Sequence, residues 1–179
     1  MKNLSIAFSL STIFLFSCGG SEGDSTSITS PNGFNTKLAN TTWEKECSVY
    51  NKLANEELKD LWNVKTKLDI EADMRATYRT EFFHPADTEC KSMMFDTLYI
   101  SKLEITGKIM TEESIEANGL NETFIFNSDR LDLSPNYSLI YMDSEKLYFG
   151  QKSGLNLGET PETRHTSIIL DNSFTQIIN

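Results

Sequence analysis

What this sequence lacks are the usual parts of an enzyme. It contains no glycine-flanked nucleophilic serine, no phosphate-cradling glycine loop and no pair of histidines at metal spacing. Its only two histidines, His84 and His165, lie far apart in turn-like or loop-like sequence, and each reads as a solvated loop residue. Three scattered cysteines do not supply the clustered spacing of a zinc site. Enzyme activity, a metal and a cofactor are therefore not expected. Positive charge is scarce too: 16 Lys and Arg against 26 Asp and Glu leave a net charge of −10. Nucleic acid and anionic headgroups both reward clustered Lys and Arg, so nucleic acid is excluded as a partner, and the acidic balance reads as a solvated surface. No apolar run is long enough to cross a bilayer as a helix. Strand–helix alternation, the mark of a parallel sheet, is also missing.

What is present first is an address. Met1 and Lys2 make a short positive start, and residues 4–16 form an apolar and small-residue run, the layout of a secretory signal. The run ends in Leu15-Phe16-Ser17-Cys18, which resembles the bacterial lipoprotein signal. The resemblance implies that residues 1–17 are removed and that Cys18 carries diacylglycerol and becomes the new N-terminus. More than one acyl chain, at ~0.8 kcal/mol per buried methylene, makes such anchoring effectively stable. Gly19 stands where an aspartate resembles an inner-membrane retention mark, so the expected location is the cell envelope, lipid-anchored at the outer membrane and facing the periplasm. Lys2 is the only charge among residues 1–17, so its loss makes the remainder one unit more acidic.

With Cys18 assigned to lipid, Cys47 and Cys90 remain as a pair in an oxidising compartment, and a disulfide between them is expected. Residues 18–37, GSTN-rich with little to bury, read as the lipidated cysteine and a flexible tether. The folded domain is expected over 38–179.

That domain reads as all-β. Residues 41–49 suggest a first strand with Trp43 and Cys47 on one face, and 51–61 a short helix from Ala54, Leu58 and Leu61. Over 62–73, Trp62, Val64, Thr66, Leu68, Ile70 and Ala72 alternate with polar residues, one face buried and one wet. The alternation continues over 74–83 through Ala76, Tyr78, Thr80 and Phe82, as a hairpin partner or as a bent extension of the same strand. His84-Pro85-Ala86-Asp87 stops it. Residues 92–110 read as one bent strand or two paired ones, 123–127 as a short strand, and 131–133 as another. Residues 137–142 and 147–150 form a hairpin, 151–166 a long loop, and 167–170 with 174–178 the last extended pieces. Eight to ten short strands in meandering order point to an antiparallel barrel, closed or partly open, since closure removes exposed edges.

A tryptophan in the first strand, a meander, and a cysteine pair tying that strand to a later one resemble lipocalin-type barrels, which enclose small apolar ligands. Thr41 stands where that family has a glycine two residues before the tryptophan. Thr42-Trp43-x-x-x-Cys47, Asp87-x-x-Cys90 and Leu147-Tyr148-Phe149-Gly150 look like those of small, functionally uncharacterised lipoproteins of Gram-negative bacteria, a likeness that implies no activity. On the apolar face, Trp43, Trp62, Val64, Leu68, Ile70 and Tyr78 either fill a packed core or line a ligand cavity, and a barrel of this size allows both. The first outcome fits an envelope structural or protein-interaction module, the second a binding protein for an apolar small molecule or lipid. The address generates a direct test. Cells fed an alkyne-bearing fatty acid are expected to label the wild-type protein and not the Cys18→Ser variant; equal labelling of both would remove the lipid anchor.

Overall fold

A computed structural model describes residues 31–50, 62–130 and 132–178. The signal, Cys18 and the helix expected over 51–61 lie outside those residues. The described elements are α1 (Pro31–Leu38), β1 (Thr41–Val49), β2 (Asn63–Ile70), β3 (Arg75–Phe83), β4 (Met93–Met110), β5 (Glu116–Asn127), β6 (Asn136–Asp143), β7 (Lys146–Gln151) and β8 (Ser167–Ile177). Each strand pairs antiparallel with the next, and β1 pairs with β8, so the sheet closes into an eight-stranded barrel.

Alternation drives the closure. Val64, Leu68 and Ile70 are buried on the inner face of β2, where Leu68 stands opposite Tyr78 and Ile70 opposite Ala76. The run 74–83 is thus the hairpin partner of β2. It begins after a turn in which Met74 takes a left-handed φ of 66° and the Arg75 amide donates to Asp73 Oδ1 at 3.0 Å. That turn leaves Ala72 exposed, off the buried face expected for it. The outward face carries ion pairs such as Glu44 with Lys65 at 2.8 Å and Arg79 with Asp96 at 3.5 Å. Exposed pairs of this kind contribute ~0–1 kcal/mol each, but their presence shows that these strands meet water rather than an apolar lipid belt.

Of the two readings of residues 92–110 the single long strand is the one found, running as β4 from Met93, and beyond Lys102 it pairs only with β5. Register shifts between Ile105 and Lys108 bend this overhanging hairpin, whose Glu113 accepts hydrogen bonds from the Ser167 hydroxyl and from the Ile168 amide at 3.0 Å. There Ile109 and Ala117 pack with Leu139, Tyr148 and Ile168 as a second apolar cluster on the outer side of the sheet. The strand expected at 123–127 is the second half of β5. Residues 167–170 and 174–178 belong to a single strand, β8, and Asp132 and Leu133 are not in a strand.

The first residues described also differ from the expected tether. From Pro31 the chain is helical, Leu38 is fully buried, and Phe34 packs against the main core, so α1 plugs one end of the barrel. Trp43 is fully buried above it, its indole Nε1 donating to Thr41 Oγ1 at 2.7 Å. Cys47 does not share its face. A one-residue bulge between Lys45 and Ser48 resets the alternation, so Ser48 and not Cys47 stands opposite Val64. Freed from the inner face, Cys47 joins Cys90 in the expected disulfide across 43 residues, pinning the β3–β4 connection beside β1. Buried Asn63 secures the same connection by donating to the carbonyls of His84, Pro85 and Asp87, the last at 3.0 Å. Replacing both cysteines by alanine is expected to lower unfolding free energy by roughly 2–4 kcal/mol. Tryptophan-monitored urea unfolding measures it, and an unchanged midpoint would show the bridge to be idle.

Candidate ligand cavity

The interior changes character along the barrel axis. Near α1 it is solid: Trp43, Leu68, Ile70, Ala76, Leu120, Ile140 and Leu147 are all buried in one cluster with Leu103 and Ile105. Moving away from α1, the inward positions shorten. Thr66, Thr80 and Thr97 stand side by side across β2, β3 and β4, with the first two hydroxyls 3.2 Å apart. Serines occupy inward positions at 101 and 138. Short side chains on neighbouring strands cannot meet across a barrel of this size, and a cavity of about 400 Å³ results. This lies within the usual range for small-molecule sites.

Aromatic rings form most of its apolar wall: Tyr78, Tyr99, Phe124 and Phe149, joined by Leu133 from the β5–β6 connection. The rings of Tyr78 and Phe149 meet edge-on with centroids 6.3 Å apart, and Phe149 meets Phe174 at 5.8 Å. The polar lining centres on Glu122, which is only 7% exposed. Its Oε1 accepts from the Ser101 hydroxyl at 2.8 Å and its Oε2 from Asn136 Nδ2 at 3.3 Å. Burial raises the pKa of this carboxyl, and the neutral polar groups of Ser101, Asn136 and Tyr78 oppose the rise. The Tyr78 phenol is raised well above its ordinary value, by burial first and by Glu122 second.

The six residues expected to line a cavity are divided by the structure. Tyr78 lines it. Trp43, Leu68 and Ile70 belong to the packed half, Val64 is buried opposite Phe82, and Trp62 is half-buried, edge-on to Phe95 at 5.3 Å. Glu122 was missed because an acid interrupts an apolar run, yet the alternation of Leu120, Glu122 and Phe124 marks it as inward.

The 152–166 connection packs against β5 and β6 beside the cavity without lining it. His165, read as solvated, is 7% exposed. Its Nδ1 lies 2.9 Å from Ser138 Oγ, its backbone amide donates to the Tyr137 carbonyl, and its Nε2 has no partner. The ring fits between two glycines: a Cβ on Gly150 would come within 2.9 Å of His165 Cβ, and one on Gly158 within 2.6 Å of Nε2. Gly158 also holds a left-handed φ of 77°, which favours glycine. Beside it, Arg164 donates to the carbonyls of Leu120 at 2.6 Å and Ser138 at 2.8 Å and to Asn121 Oδ1 at 2.6 Å. His84, by contrast, is exposed, its Nδ1 accepting from the Ala86 amide at 3.1 Å. Among the described residues no three His, Cys, Asp or Glu side chains gather as a metal site.

The two buried groups titrate in opposite senses. Burial lowers His165 below its ordinary value of 6.5, so the stability of its neutral ring is complete above that pH and falls as acid protonates the unfolded chain preferentially. Glu122 is raised above 4.5, so the stability of its protonated form is present below that pH and lost as pH rises through the folded value. Accordingly, His165→Gln is expected to flatten the loss of melting temperature between about pH 7 and pH 5, and Glu122→Gln to raise the melting temperature more at about pH 7 than at about pH 4. Parallel wild-type and variant melting curves would contradict these assignments.

The chain matches no protein-family model, no curated protein and no solved structure.

Proposed function

We propose that this protein is a lipid-anchored binding protein of the bacterial envelope, lipocalin-like in form, which holds a small, largely apolar molecule inside its barrel. The observation that carries the reading is the division of the interior: one half solid, the other a ligand-sized cavity with aromatic walls and one buried polar cluster. A barrel serving only as a structural element gains nothing from such a void, because each unfilled volume forfeits packing energy. The walls of the cavity end are also secured from outside. Disulfide and Asn63 fix the β3–β4 connection, and Arg164 with His165 fixes the β7–β8 connection against β5 and β6. Rigid walls reduce the ordering cost of binding. The Cys18 box supplies the anchor.

Thr80 offers a clean probe, because its side chain points into the cavity and leaves the packed half untouched. N-phenyl-1-naphthylamine fluorescence is expected to saturate at one probe per chain, and Thr80→Trp to weaken binding by about tenfold or more while the protein still melts cooperatively. An absence of saturable binding, or unchanged affinity in the variant, would contradict the proposal.

A further inference from the structure

Resting on the cavity reading above, we infer that the ligand is an organic cation: a protonated amine on a ring-sized apolar body, seated with its ammonium against Glu122 and its body among the aromatic rings. A buried carboxylate is costly unless a positive group compensates it. Ser101 and Asn136 donate neutral hydrogen bonds to Glu122, but among the described residues no lysine or arginine forms an ion pair with it. None of the described lining residues supplies a compensating positive charge, and a cation entering the cavity would supply it.

The remaining lining has the same preference. Tyr78, Tyr99, Phe124 and Phe149 surround the space, and the negative faces of aromatic rings attract cations, most strongly where water is excluded. The net charge of −10 favours the approach of a cation and opposes that of an anion. Lys45 stands opposite Thr66, a residue of the cavity wall, but it is half-buried, forms no ion pair among the described residues and does not itself line the cavity. Arg164 spends its guanidinium on the backbone and on Asn121.

Three nearly isosteric indoles separate the possibilities by calorimetry on the purified protein: tryptamine (cation), tryptophol (neutral) and indole-3-propionate (anion). Tryptamine is expected to bind about tenfold or more tightly than tryptophol, and Glu122→Gln, which keeps size and one acceptor oxygen but removes the charge, to bring the two within about threefold while changing tryptophol little. Equal or tighter binding of tryptophol, tightest binding of the propionate, or no tryptamine binding beside saturable naphthylamine binding would each overturn the amine inference and leave the cavity reading standing. Failure of all four compounds to bind would overturn both.

Discussion

The structure depends on a short seam. Among the described residues, three residue pairs, 42–44 against 175–177, join β1 to β8 and close the barrel. Trp43 sits in that seam, opposite Gln176 on one side and Leu68 on the other, and is fully buried over α1. Losing a buried aromatic of this kind commonly costs ~3–5 kcal/mol, comparable with a large part of the net stability of a domain this size. Closure, the packed half and the helical plug are thus one cooperative unit built around one side chain. Leu38 and Phe34 from α1 complete it.

Beyond Glu44, β1 pairs with β2 alone, bulges, and is held by Cys47 rather than by a strand on its other side. The cavity half of the barrel is therefore maintained differently from the packed half. Covalent and polar fastenings, Cys47–Cys90, Asn63 to three carbonyls, and Arg164 with His165, replace the hydrophobic contacts that the void forgoes. Glu122 adds a local cost by placing a carboxyl in a low-dielectric wall. The void and the buried acid thus fall at one place in the barrel, and each costs stability there.

Much of the architecture was legible where side chains alternate without exception. Residues 62–83 announced extended structure with one buried face, as a pair of strands or one bent strand, because inward and outward positions alternate, and the even cysteine pair announced its bridge. The pattern failed where irregular geometry or inward polar residues intrude. A bulge moved Cys47 off the face of Trp43, an effect that counting by twos cannot see. An inward Glu122 truncated the reading of β5, and the polar sequence around Arg164 and His165 concealed a connection held against β5 and β6 by hydrogen bonds to their backbone. The large apolar residues left a packed core and a cavity both open, whereas small inward ones, Thr66, Thr80 and Ser138, line the cavity, and only the strand register shows where they fall.

If the void is an occupied site in the living protein, native mass spectrometry of protein purified from its own envelope, without heating or organic solvent, will show a second mass series, one small molecule above the bare chain, that collapses to the bare mass on unfolding. A single bare series that stays bare when apolar and amine compounds are added in excess would contradict it.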